Sequence, residues 1–175
     1  MAAKQYPTQD VLRKLFRYDP ETGRLVWIKS GAEAGRPIKN RTTATGLARL
    51  VSFRIGGERV RTSAHRVAWV MTFGIIAQNM VIDHINGDNC DNRLSNMRLA
   101  TIQQNSRNRR ASSNSKSGVI GVRKSGSKWM AQIRPGTVKS IYLGTFATME
   151  MAIAARHAAE IKYYGEFAPC LSRAQ

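Results

Sequence analysis

The stretch VIDHINGDNCDNRLSNMRLATIQQNSRNRR, Val81 to Arg110, limits the possible folds more than any other part of the chain. Val81-Ile82 reads as a short strand running into the adjacent pair Asp83-His84. Ile85 to Asn92 is crowded with Asp, Asn and Gly, the residues of a turn-rich loop. Asn96 to Ala100 reads as a returning strand. Thr101-Ile102-Gln103-Gln104 then fits a capping box, a hydroxyl followed three residues later by Gln, and opens a helix. The order strand, loop, strand, helix sets Asn105 one turn into that helix. Side chains alternate along a strand, so Asp83 and His84 point to opposite sides of theirs.

Charge adds a second constraint. Lys and Arg total 28 and Asp and Glu 11, a formal net charge of +17. The pI is near 10.9. A chain so positive repels itself unless a polyanion offsets it, which points to nucleic acid. From Asn92 to Met149 there is no acidic residue at all, and the eleven cations inside that run begin at Arg93 and end at Lys139. The acids Asp83, Asp88 and Asp91 gather just before it. Carboxylates retained where phosphates must approach suggest metal binding. The string DHINGDNCD lacks the spacing and closing Glu of a calcium loop, so Asn86, Asp88 and Asp91 are read as loop-fixing residues.

Other classes fall away on simple grounds. Two cysteines, Cys90 and Cys170, exclude a disulfide framework and a four-cysteine zinc site. The N-terminus lacks the apolar core of a signal peptide, and Val67 to Ala77 is too short to span a bilayer. The expectation is an intracellular chain with no membrane partner.

Residues 1–80 read as a mixed module. Asp10 starts a short helix through Phe16, Asp19 to Gly23 is a turn, and Arg24 to Ile28 is a strand. Gly56-Gly57 joins Arg49–Ile55 to Glu58–Thr62 as a hairpin. AHRVAWVMTFG has helical spacing with Gly74 to end it. ASSNSKS, Ala111 to Ser117, has the composition of a flexible linker. Beyond it, Val119–Arg123, Trp129–Arg134 and Ser140–Leu143 are strands. Thr148 opens a long helix whose Ala152, Ala155 and Ala159 form a small-residue stripe, with His157 on its surface. The class is α+β.

Hydrolysing a phosphodiester needs an activated water and a charge to neutralise the leaving oxygen. Asp83 and Asn105 offer oxygen donors for a hard ion, and His84, with an ordinary pKa near 6.5, suits a general base. Asn96 is suited to bracing the loop behind His84. His84, Asn96 and Asn105, spaced by 12 and 9 residues, together with DHINGD, DNRLSNMRLAT and QQN, resemble the HNH motif of phage and intron-encoded homing endonucleases in the ββα-metal superfamily. That resemblance implies Asp83 and Asn105 as ligands of Mg2+ (or Mn2+), His84 as base and Asn96 as brace. It also implies cleavage to a 5′-phosphate and a 3′-hydroxyl. His65, in AHRVAW, recurs in that family and is read as a helix-start histidine or an accessory phosphate contact.

SGVIGVRKSGSKWMAQIR, IYLGTF, the helix from Thr148 and YYGEFA resemble the AP2 DNA-binding domain, a three-stranded antiparallel sheet on one helix. By position, Arg123, Lys124, Lys128, Gln132, Arg134 and Tyr142 become DNA contacts, while Arg107, Arg109 and Arg110 track the backbone. Ile120 stands where that family has Arg, so base preference does not transfer. Trp129 and Phe146 suit core packing as well as DNA contact. The resulting expectation is four segments: 1–80 supporting the nuclease, 81–110 cutting, 111–117 linking and 118–170 addressing double-stranded DNA. The chain would be phage-encoded, cytoplasmic in a bacterial host, and a monomer or weak dimer without another protein partner. The rival reading is a non-catalytic DNA-binding regulator on the same scaffold.

Overall fold

The computed structural model describes residues 6–39, 47–109, 111–136 and 139–173. It divides into two compact units, Met1–Thr101 and Ile102–Gln175. The boundary falls inside the stretch read from sequence as one motif.

In the N-terminal unit, α1 (Gln9–Leu15) leads into β1 (Phe16–Tyr18), paired antiparallel with β2 (Leu25–Trp27). Their turn is set by chemistry. Asp19 accepts from the Glu21 amide at 3.0 Å and from the Thr22 hydroxyl at 2.6 Å, and Gly23 supplies φ +71°. A second sheet contains β3 (Arg36–Lys39), β4 (Leu47–Ile55) and β5 (Glu58–Ser63), in the order β3-β4-β5. Ile55 pairs with Glu58 across Gly56-Gly57, whose φ values of +55° and +83° match the twist of a two-residue hairpin. Helix α2 (Ala64–Phe73) buries Val67, Ala68, Trp69, Val70 and Met71 and ends at Gly74. The core joins these to Leu12, Phe16, Leu25, Val51 and Phe53. Phe16 packs on Trp27 at 4.3 Å and edge-on to Phe53 at 5.4 Å.

The last sheet of this unit is β6 (Met80–His84) against β7 (Met97–Thr101). Asp83 faces Arg98 and His84 faces Met97 in the antiparallel register. Asn96, read as the start of the returning strand, instead ends a single 3-10 turn, Leu94–Asn96. Its amide is used by the loop, as described below, so the ladder begins one residue later.

The C-terminal unit opens with α3 (Ile102–Arg107), directly after β7. Residues 111–117, read as linker, contain a turn closed by Ser115 N–H on the Ser112 carbonyl. Ser117 Oγ donates to the Val122 carbonyl at 2.8 Å and accepts from the Val119 amide. Then come β8 (Val122–Ser125), β9 (Lys128–Ile133) and β10 (Ile141–Phe146), an antiparallel sheet in the order β10-β9-β8. Helix α4 (Met149–Tyr164) is capped by Thr148, which accepts from the Met151 amide at 3.3 Å. Ala152 and Ala159 are buried against Val122, Ala131 and Ile133. Trp129 and Phe146 pack on that core. The same helix buries Arg156 beside Glu160 at 2.9 Å, a pair the alanine stripe gave no hint of. His157 is half-buried rather than on the open surface. A short α5 (Pro169–Arg173) closes the unit.

Candidate functional site

The site begins where β6 meets its loop. Asp83 is 2% exposed and His84 4%. Strand alternation sends them to opposite sides, and each meets a different partner. Arg98, opposite Asp83 in the ladder, donates from both Nε and Nη2 to Asp83 Oδ2 at 2.9 Å. A buried carboxylate without a counter-charge is costly, and the one Arg of the returning strand answers it.

His84 Nε2 lies 3.0 Å from Asn92 Oδ1. An amide oxygen only accepts, so Nε2 carries the proton and the basic nitrogen is Nδ1. The ring of His65 meets that of His84 edge to face, with centroids 5.0 Å apart. His65 Nε2 also sits 3.0 Å from Ser63 Oγ. Burial holds His84 below the usual histidine pKa, partly offset by the Asn92 hydrogen bond and the charges of Asp83, Asp88 and Asp91. Burial, then the neighbouring His84 and Arg66, push His65 down to about 3. Both rings are therefore neutral at pH 7.

The loop owes its shape to its own amides and acids. Asn96 Oδ1 accepts from the Asn86 amide at 3.0 Å, and its Nδ2 donates to the Asp91 carbonyl at 2.8 Å. Asn86 Oδ1 accepts from the Asp88 amide and its Nδ2 donates to Asp91; Asp88 accepts from the Cys90 amide. Arg93 forks onto Asp91 at 2.8 and 2.6 Å. These short-range bonds fix the peptide that carries Asn92.

Residues far back in the chain complete the support. Tyr18 OH donates to the Asn92 carbonyl at 2.6 Å, and the Leu94 amide donates to the Pro20 carbonyl at 3.1 Å. Burial, with Asp19 and Asp91 nearby, raises the Tyr18 phenol to about 12, so it remains a donor. The β1–β2 turn lies so close that a Cβ on Gly23 would stand 2.6 Å from Arg93 N and 2.7 Å from Asn92 C. Sequence reading missed Asn92, Arg98 and Tyr18. Only Arg98 carried a usable signal, as the lone cation in MRLAT once the register is known.

Asn105, the last position of the motif, stands on α3 in the C-terminal unit. Arg107 ends that helix with its guanidinium 4.6 Å from the Tyr164 ring centroid. Arg109 is exposed and donates to the Ser106 carbonyl. Arg110 lies outside the described residues. Val122, Ala131 and Ile133 face α4, so alternation turns Arg123, Lys128, Gln132 and Tyr142 to the opposite face of the sheet. Tyr142 is exposed, with its hydroxyl 2.6 Å from Thr145 Oγ1. Lys124 pairs with Trp129 and so has the other parity, exposed at the sheet margin, and Arg134 follows the end of β9. Arg123, Lys128, Gln132 and Tyr142 thus form one basic and polar face, and Lys124 is separate from it.

Among the described residues, no three His, Cys, Asp or Glu side chains gather as a metal cage. The donors at the end of β6 are a single carboxylate and two neutral imidazoles. One carboxylate fits a hard ion that keeps its waters and takes the rest of its shell from a substrate phosphate.

Residues 63–107, from the last residue of β5 to the end of α3, match a family model described as HNH endonuclease. The chain thus carries an HNH endonuclease domain, and that segment contains His65, Asp83, His84, Asn96 and Asn105. A solved structure titled "DNA binding and cleavage by the HNH homing endonuclease I-HmuI" is similar at 19% identity with a TM-score of 0.45. The match covers 59% of this chain and 56% of that one. No curated protein matches the chain.

Among the described residues, no helix is long and apolar enough to cross a membrane.

Proposed function

We propose that this chain is a divalent-metal-dependent DNA endonuclease in which His84 is the general base. The carrying observation is the buried Asp83-His84 pair at the end of β6, its loop fixed by Asn96, inside the segment that matches the HNH family. Asp83 and, by its motif position, Asn105 would hold the ion, Mg2+ (or Mn2+). When bound, that ion would neutralise charge on the phosphate and the departing 3′ oxygen. Arg98 is bonded to Asp83 Oδ2, so an ion held by Asp83 would share that carboxylate with a guanidinium.

The protein's own residues supply the proton chemistry. His84 Nδ1 takes a proton from the water that attacks phosphorus. Asn92 keeps the ring in the tautomer that leaves Nδ1 basic, and Tyr18 holds Asn92 in turn. Because burial depresses the pKa of His84, the base form dominates at neutral pH. The products would carry a 5′-phosphate and a 3′-hydroxyl.

The C-terminal sheet and α4 serve as an AP2-like addressing domain in this reading. The face bearing Arg123, Lys128, Gln132 and Tyr142 would enter the major groove, as sheet faces do in other DNA-binding proteins. Lys124 and Arg134 would meet phosphates from its margins, and Arg109 and Arg110 would track the DNA backbone. A phage-encoded homing enzyme, acting in the bacterial cytoplasm as a monomer or weak dimer, is the biological setting proposed.

A second reading has its own support. Asp83 is already paired with Arg98 and His84 is nearly inaccessible, as in a regulator that keeps the scaffold without the reaction. Incubating supercoiled plasmid and phage DNA with the protein in Mg2+, alongside EDTA and His84→Ala controls, separates the two. Nicked or linear product that disappears in both controls supports the nuclease. Tight DNA binding without cleavage in either Mg2+ or Mn2+ supports the regulator.

A further inference from the structure

The C-terminal unit contains a cavity of about 580 Å³, within the size range of small-ligand sites. It is bounded by α3, the segment before β8, the end of β9, α4 and α5. Arg107, Arg109, Arg134 and Arg156 line it against a single acid, Glu160. That acid is already matched, since Arg156 donates to it at 2.9 Å and the Cys170 amide donates at 3.2 Å. The lining is therefore strongly cationic.

Arg107 is its most telling residue. The guanidinium carbon lies over the Tyr164 ring, 4.6 Å from its centroid, and the Tyr164 hydroxyl donates to the Arg134 carbonyl at 3.0 Å. Yet Arg107 Nε is buried and has no hydrogen-bond partner among the described residues. A buried charged donor left unpaired is destabilising, and folded proteins rarely keep one without a ligand or water to fill it. A planar guanidinium fork set over an aromatic ring in a cationic cavity matches the oxygens of a phosphate.

We propose that this cavity is a phosphate site, with Arg107 as its anchor, distinct from the outer face of the sheet and from Asp83-His84. The phosphate comes either from a free nucleotide or from DNA. The site does not depend on cleavage, so its test is run in EDTA and does not share the fate of the nuclease reading.

The test follows the Arg Nε–Hε signals of the full chain by proton–nitrogen NMR, with the Arg107 signal identified by its loss in Arg107→Lys. Inorganic phosphate, a deoxynucleoside 5′-monophosphate, and DNA duplexes with and without a 5′-phosphate are titrated in turn. The Arg107 signal is expected to shift with phosphate, and Arg107→Lys should weaken binding by about 10- to 100-fold, the value of one charged hydrogen bond. Binding of the mononucleotide identifies a nucleotide site. A preference for 5′-phosphorylated duplex identifies a DNA end, and a response to both duplexes alike identifies internal backbone. If no Arg Nε–Hε signal of the native chain moves with any of the four probes, the proposal is overturned. That result needs only the native chain, so it stands even if Arg107→Lys folds poorly.

Discussion

Replacing Arg98 by Met tests the electrostatics at the end of β6 most directly. The Asp83 side chain is 3% exposed and that of Arg98 18%. Removing one partner of a buried pair costs about 3–5 kcal/mol, and the partial exposure of Arg98 puts this case near the lower end. With a urea m-value of about 2 kcal/mol/M, that loss moves the unfolding midpoint of the N-terminal unit down by roughly 1.5 M. The measurement is urea unfolding in EDTA, followed by the fluorescence of Trp27 and Trp69 with Trp129 replaced by Phe in every variant. If Asp83 is a metal ligand, Mg2+ at 100 times its dissociation constant should return about 2.7 kcal/mol to Arg98→Met. The native protein should gain less, because there the ion shares the Asp83 carboxylate with the Arg98 guanidinium. Asp83→Asn with Arg98→Met should recover much of the loss in EDTA, since no uncompensated charge remains. Arg98→Met within about 0.5 kcal/mol of native in EDTA, the scale of an ordinary surface change, would refute the buried-pair argument. Equal stabilisation of both proteins by Mg2+ would refute the sharing of Asp83.

The acid limb of cleavage against pH should fall below the ordinary histidine value of about 6.5, because burial depresses His84. Asn92→Leu, which removes a bond that raises this pKa, should move the limb lower still and cut kcat by about 10–100-fold, and an unmoved limb would deny Asn92 its role. Stability of the metal-free protein should fall as pH drops from about 6.5 toward 3, since the unfolded chain protonates His65 and His84 first; a flat urea midpoint over that window would contradict their buried neutral state. Gly23→Ala should cost about 1–2 kcal/mol from its positive φ alone, and activity should drop further because the new Cβ displaces the Asn92–Arg93 peptide. In DNA binding, if roughly 6–8 cations meet phosphates, log K against log salt should have a slope of about −5 to −7, whereas a slope near −1 would assign that charge to solvent.

What the sequence disclosed is what local spacing encodes. Gly56-Gly57 between alternating runs specified a hairpin, Thr148 specified a cap, and the apolar period of AHRVAWVMTF specified α2. The family segment was legible because its histidine and asparagines sit at fixed intervals. Strands β1 and β3 went unread, since three or four residues leave almost no alternation to detect. Hidden too were the pairings made only after folding: Asn92 with His84, Arg98 with Asp83, and Tyr18 with Asn92, across 74 positions. Arg156 and Glu160 illustrate the point from the other side. Their i,i+4 spacing is that of countless solvated helix pairs, and only the sheet beneath α4 makes this one buried.

The contact of Gly23 and Tyr18 with the Asn92–Arg93 peptide bears on how this molecule can be dissected. The recognisable nuclease segment starts at residue 63, yet the peptide that sets the tautomer of His84 leans on residues 18 to 23. A minimal fragment trimmed to the family boundary would keep every motif residue and lose their foundation. Transplanting the segment into another protein would therefore require carrying the β1–β2 turn with it, or building a new wall for Asn92 to rest against.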